Sequence, residues 1–177
     1  MNIKAAIVGA SGYSGAELVR ILIGHPSVEL TCVTSRTEAG RSLAEVFPRH
    51  RKVEAAESLR FVAPDVDAIA ASGAQVAFLA LPHGVAAEFA GPLLDAGLRV
   101  IDLSADYRLR DPEVYEEFYG APHPDKERLS AAVYGLPELR AEQIRDAALV
   151  ASPGCYPTSI ILPLVPALGA SLIEPDS

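Results

Sequence analysis

The chain has 177 residues, half of them hydrophobic, and a formal net charge of −8. That apolar share supports a packed core and excludes an intrinsically disordered chain, and the length is that of one domain with a fragment of a second. The 15 basic residues are scattered among 23 acidic ones, which leaves no basic stripe for a nucleic-acid partner.

In chain order, Ile3–Val8 is a continuous, β-branched-rich run stopped by Gly9, the pattern of a buried strand. Residues 14–22 read as a helix, with Ser14 and Glu17 at capping-box spacing and Gly24 and Pro26 ending it. Val28–Thr34 is a second strand, 75–81 a third, 85–96 a helix and 99–103 a further strand. Asp111-Pro112 opens a short helix, with Asp as cap and Pro in the first position. Pro137–Asp146 reads as another helix, followed by a strand over Leu149–Ala151 and an apolar helix over 158–168. The charged stretch 36–64 gives no clear pattern. Apolar strands alternating with helices predict an α/β, Rossmann-like doubly wound parallel sheet covered on both faces. The sheet domain is expected over 1–150, and 151–177 is expected to begin a second, truncated domain.

No feature points to export, a membrane or a metal. The N-terminus lacks the apolar core of a secretory signal. The longest apolar stretch, 160–170, is about half a membrane span and carries Pro163 and Pro166. The two cysteines make no disulfide framework, and the four histidines have no metal-ligand spacing. His25, His50 and His123 read as surface residues. The expectation is a soluble cytoplasmic protein with reduced thiols.

Two turns carry chemistry. Gly9-Ala-Ser11-Gly12-Tyr13-Ser14-Gly15 joins the first strand to the first helix. Glycines there allow close approach of a pyrophosphate, and the helix N-terminus supplies N–H groups and partial positive charge. The spacing is GxxGxxG, and the strand–turn–helix context supports a dinucleotide site over an ordinary glycine-rich loop. The second strand ends without the acid that takes a ribose 2′-hydroxyl; Ser35 and Arg36 stand there instead, which suits the 2′-phosphate of NADP. Ser152-Pro-Gly-Cys155-Tyr-Pro-Thr158 puts a cysteine beside a helix start, where the partial positive charge favours a thiolate. Cys32, mid-strand, reads as a small core residue.

The blocks Gly9–Gly15 (GASGYSG), Leu81-Pro-His83-Gly84, Leu103-Ser104-Ala-Asp-Tyr-Arg108, Tyr134-Gly-Leu-Pro-Glu138 and Pro153-Gly-Cys155-Tyr-Pro-Thr158 stand in an order that resembles the N-acetyl-gamma-glutamyl-phosphate reductases. The resemblance implies an NADPH-dependent enzyme of arginine biosynthesis. Its Cys155 thiolate attacks an acyl phosphate, and the resulting thioester is reduced to an aldehyde. It also implies a family about twice this long, homo-oligomeric in full-length form. The base histidine and most of the substrate pocket would lie outside this sequence, so this chain would bind cofactor with little or no turnover.

Arg108 follows a strand end and reads either as an acyl-phosphate clamp or as an ion-pair partner of Asp106 or Asp111. Ser104 reads as a substrate donor or a turn residue. His83 and Gly84 read as a loop against the cofactor, and Glu138 as a helix-start acid. Other readings are a reductase of a carrier-linked aminoadipyl or glutamyl phosphate, a non-catalytic NADP-binding module, and a redox-sensing thiol protein.

Overall fold

A computed structural model describes residues 2–174. The chain begins with β1 (Ile3–Val8), α1 (Tyr13–Leu22) and β2 (Val28–Thr34). It continues through α2 (Leu43–Val46), a 3₁₀ turn at Pro48–His50, α3 (Glu54–Ser58), β3 (Phe61–Val62) and α4 (Val66–Ala71). Next come β4 (Val76–Leu79), α5 (Ala86–Asp95), β5 (Arg99–Asp102), α6 (Pro112–Tyr119) and α7 (Lys126–Leu129). The last elements are β6 (Val133–Tyr134), α8 (Pro137–Asp146), β7 (Leu149–Ala151) and α9 (Cys155–Gly169).

The strands form one seven-stranded sheet in the order β3-β2-β1-β4-β5-β7-β6, with every pairing parallel. The chain winds outward from β1 to β3, then returns to lay β4 on the other side of β1. That reversal places a crevice at the carboxyl ends of β1 and β4, where doubly wound folds bind ligands. The alternation of runs in the sequence led to this architecture.

Each strand is apolar on both faces because each face has its own core. Ala6, Val8, Ala77, Leu79 and Val100 pack with Ile69 of α4 and Ala90 and Leu93 of α5. Ala5, Ile7, Leu30 and Val33 pack on the other side with Val19 and Leu22 of α1. Burial on both sides removes the in–out alternation of a half-exposed strand.

Several local expectations are corrected. Ser14 does not cap α1: Gly12 is the N-cap, and Glu17 pairs with Arg20 instead. The strand runs straight into the helix through glycines, so Ser14 already lies inside the first turn. A capping box forms instead at Ser42, in the stretch that gave no pattern. Ser42 Oγ accepts from Glu45 N at 3.2 Å, and the Glu45 carboxylate accepts from Ser42 N at 2.5 Å. In the same stretch β3 adds an edge strand, with Phe61 buried opposite Val33. β3 and β6 have two residues each, too short to show a period.

His50 and His123 are buried, not on the surface. His50 stands edge-on to Phe47, and burial lowers its pKa. His123 lies between Tyr107 and Tyr115, and its Nδ1 accepts from Asp125 N at 2.9 Å. Short polar-flanked segments folded under aromatic rings give no apolar run to read. His25 is exposed, as expected.

The last helix starts at Cys155, three residues before the expected 158. It buries none of its residues, and Ile160, Leu164, Val165 and Leu168 are exposed.

Gly15 gives a direct test of the first turn. A Cβ there would strike the Gly9 carbonyl oxygen and lie 2.6 Å from Ala10 Cα, both backbone atoms that cannot swing away. Gly15→Ala is expected to destabilise the chain by about 1–3 kcal/mol. Urea unfolding would measure it, and an unchanged midpoint would contradict the packing.

Candidate nucleotide cleft and thiol pocket

The β1–α1 turn is pressed onto the end of β4. Gly9 has φ +84°, and a Cβ on it would lie 2.5 Å from the Ala80 carbonyl oxygen. Gly9 N donates to Thr34 Oγ1 at 3.1 Å, which ties the turn to the end of β2. No side chain caps α1, so its first N–H groups have neither an intrahelical nor a side-chain acceptor. The cleft beside this turn is floored by Gly9, Ser11 and Gly12. Ser35 and Arg36 stand on one side, and Leu81, Pro82, Val85 and Phe89 on the other.

Ser11 and Ser35 share a hydrogen bond of 2.7 Å across the cleft. Ser35 Oγ also accepts from Thr37 N and Glu38 N, each at 3.2 Å, which shapes the loop that carries Arg36. Arg36 is exposed and makes no ion pair among the described residues. Free helix N–H groups, a turn whose Gly9 and Gly15 have no room for a side chain and an unpaired guanidinium fit a phosphorylated dinucleotide.

Not every residue singled out in the sequence lines this cleft. Tyr13 is fully exposed beside Leu18 and Ile21, and Ser14 faces the thiol pocket. Gly15 is a packing residue under the turn. His83 and Gly84 belong to the cleft's wall loop but are turned toward Asp106. His83 Nδ1 lies 2.8 Å from Asp106 Oδ1 with its ring on Tyr119, and Gly84 N donates to the same oxygen at 2.8 Å.

The second hollow, about 610 Å³, is lined by Ser14, Leu103, Arg108, Gly154, Cys155 and Thr158, with neighbours from α9. Gly154 has φ +89°, and a Cβ there would come within 3.0–3.1 Å of three atoms of the Arg108 guanidinium. Arg108 Nε donates to Ser152 O at 2.7 Å and Nη2 to Leu103 O at 3.1 Å. It thus clamps the cysteine turn through the backbone and pairs with neither Asp106 nor Asp111. Asp111 caps α6 by accepting from Glu113 N. Nη1 keeps no hydrogen-bond partner among the described residues. Cys155, exposed, is the first residue of α9. Ser104 takes the turn role: it is buried, and its hydroxyl donates to Asp102 Oδ2 at 2.8 Å.

The sequence does not single out Asp102, and it offers Asp106 only as an ion-pair partner for Arg108; both are fully buried. Their signal was present: two acids around Ser-Ala at the end of an apolar strand, where solvation is poor. Burial pushes the Asp102 carboxyl up to about 6; the Ser104 donors and Arg108 oppose this, and Asp106 adds to it.

Comparisons with known proteins meet this geometry. Residues 4–147 match the family model described as semialdehyde dehydrogenase, NAD binding domain. The chain belongs to that family. It is 61% identical over 175 residues to an N-acetyl-gamma-glutamyl-phosphate reductase of Akkermansia muciniphila, covering 99% of this chain and 50% of the relative. It is 51% identical over 177 residues to the reductase of the same name from Geobacter metallireducens, covering 99% and 49%. The chain therefore spans about half the length of the curated relatives it matches. Among solved structures, aspartate semialdehyde dehydrogenase II of Vibrio cholerae, complexed with ASA, aligns with TM-score 0.68 at 18% identity, over 96% of this chain and 47% of that one. The aspartate semialdehyde dehydrogenase of Candida albicans with NADP aligns at 0.61 and 16%, over 96% and 48%. These likenesses show a shared fold. No helix among the described residues is long and apolar enough to cross a membrane.

Burial pushes the Cys32 thiol up to about 11, while Cys155 is exposed at a helix start. Iodoacetamide should label Cys155 well before Cys32 in the folded chain; peptide mapping that finds Cys32 first would contradict the assignment.

Asp102 has a folded-state pKa above its unfolded value of about 3.9, so the folded state binds the proton more tightly. Its contribution to stability is fully present below about pH 4 and lost as pH rises through 6, on the order of 3 kcal/mol in all. Asp102→Asn should remove this component, so wild type should lose stability relative to the variant between pH 4 and 7. Parallel urea midpoints across that range would overturn it.

Proposed function

We infer that this chain is the NADP-binding and nucleophile-bearing part of an N-acetyl-gamma-glutamyl-phosphate reductase, an NADPH-dependent enzyme of arginine biosynthesis. The observation that carries the reading is that Ser14, on the helix of the glycine turn, also lines the hollow that holds Cys155. The nucleotide-binding helix and the nucleophile therefore share one space at the carboxyl ends of the strands. The reductases from Akkermansia and Geobacter support the choice of substrate.

Cys155, as thiolate, attacks the acyl carbon; the carbon–oxygen bond to phosphate breaks and phosphate leaves, giving a thioester on Cys155. Gly9, Gly12, Ser35 and Arg36 would hold NADPH in the cleft, which would supply a hydride for reduction of the thioester carbon. The carbon–sulfur bond then breaks, releasing N-acetylglutamate semialdehyde and restoring the thiolate. Arg108 presents its free Nη1 edge to the hollow, suited to the phosphate or the developing oxyanion. Residues 1–150 serve as the cofactor domain and 151–177 as the start of the catalytic domain. The complete enzyme is assigned to the cytoplasm as a homo-oligomer.

NADP over NAD rests on Ser35 and Arg36 at the end of β2, with no acid there to take a ribose hydroxyl. NADPH should stabilise the chain against heat more than NADH, and Arg36→Ala should weaken NADPH binding about tenfold or more while leaving NADH unchanged. Equal stabilisation by both dinucleotides would remove the 2′-phosphate assignment. The reaction itself is read as phosphate-dependent NADP reduction with N-acetylglutamate semialdehyde, in this chain and in a longer form. Cys155→Ala should abolish whatever turnover is found.

A further inference from the structure

The β4–α5 loop forms one wall of the nucleotide cleft through Leu81, Pro82 and Val85, and a single backbone turn, Val85 N donating to Pro82 O at 3.2 Å, is what holds it from within. Helix α5 has Val85 as its N-cap residue, with no side-chain cap. Its first-turn N–H groups would be left open on a wall that must meet a ligand. The acceptor comes from another loop. Asp106, fully buried, takes Gly84 N at 2.8 Å and His83 Nδ1 at 2.8 Å on Oδ1, and Ala87 N at 3.1 Å on Oδ2.

The loop that carries Asp106 is itself fixed. Asp106 N donates to Ser104 Oγ at 3.1 Å, and Ser104 Oγ donates to Asp102 Oδ2 at 2.8 Å at the end of β5. Two residues further on, Arg108 clamps Ser152 O behind the cysteine turn. One short segment therefore reaches in two directions: Asp106 toward the nucleotide wall and Arg108 toward the thiol.

We propose that Asp106 is a positioning residue for the nucleotide, capping α5 from outside its own loop and so setting the cleft wall at Leu81, Pro82 and Val85. His83 is its partner at that anchor and not itself a cofactor contact. The carboxylate suits the task because one anion can satisfy three donors, at His83, Gly84 and Ala87, that the loop's own turn leaves open, and charged acceptors hold donors more strongly than neutral ones. The consequence for NADP rests on the function proposed above; the anchoring of the loop does not.

The test uses Asp106→Asn, which keeps the volume but removes the charge and sets an amide N–H₂ against one of the backbone donors. NADP⁺ affinity by titration calorimetry, amide exchange by mass spectrometry and Cys155 alkylation are measured together. A rise in Kd of about tenfold, faster exchange at residues 84–87 and an alkylation rate within about twofold of wild type are expected. A residue that merely supported the fold would loosen β1, β4 and the cysteine turn together, and that pattern would overturn the proposal, as would an unchanged Kd. His83→Ala removes one donor of three and serves if the first variant fails to fold. A rise of about two- to threefold with faster exchange at Gly84 is expected, and wild-type affinity and exchange would overturn the proposal. If the unaltered chain binds no NADP⁺, the cofactor reading falls, and the exchange measurement alone decides whether Asp106 anchors the loop.

Discussion

The cleft wall at the start of α5 and the cysteine turn are both hung from residues 103–108, the loop that leaves β5 between the two hollows. Its side chains are tied in three directions. Ser104 is bound back to Asp102 on its own strand, Asp106 reaches sideways to the start of α5, and Arg108 reaches across to the carbonyl of Ser152. A parallel sheet sends all its strand ends to one side, but it does not space the loops that follow them. Here that spacing is set by buried polar side chains. A buried carboxylate is tolerated only with donors around it. Asp106 collects three from three separate groups, whereas both donors to Asp102 come from Ser104 alone. Asp102 shows the result, with desolvation outweighing its hydrogen bonds and raising its pKa.

The two chemical turns solve the same steric problem at different strands. At Gly9 the backbone must pass the carbonyl of Ala80, and at Gly154 it must pass the guanidinium of Arg108; both residues hold a positive φ. A side chain at either place would be strained by conformation and blocked by a neighbour. At Gly9 the close approach joins the two halves of the sheet beside the uncapped start of α1. At Gly154 it lets the arginine lie flat under the turn that presents the thiol.

The architecture was legible because its signals are long and redundant. Strands of four to seven residues, apolar on both faces, alternate with helices, and the glycine and cysteine turns stand where such a sheet puts its ligands. What escaped was decided by contacts distant in sequence. Spacing alone could not show that Glu17 turns to Arg20 rather than back toward the helix start, or that Ser42 makes a capping box in a stretch without apolar period. His123 is buried by two tyrosines that both precede it, eight and sixteen residues earlier in sequence, and its flanking prolines speak only of a turn. From sequence, Arg108 reads as a phosphate clamp or as the ion-pair partner of Asp106 or Asp111. Its actual partners are backbone carbonyls, and a sequence does not indicate which carbonyls lack a donor. Asp106 has a different partner as well. The structure pairs it instead with a loop about twenty residues earlier, across β5.

The position of Cys155 follows from the same logic. Helix α9 buries none of its residues and carries Pro163 and Pro166, so its body does not hold its first residue in place. The turn does. Ser152 N donates to Asp102 O at 2.8 Å, Arg108 takes the Ser152 carbonyl, and Thr158 Oγ1 closes onto Gly154 O at 2.7 Å. The thiol is thus registered to β5 and β7 rather than to the helix that follows it. A thiol that takes its place from the sheet keeps a fixed relation to the cleft at β1 and β4, which belongs to the same sheet. Distance between the cleft wall at α5 and the thiol is then set through residues 103–108, whatever packs against the exposed apolar face of α9.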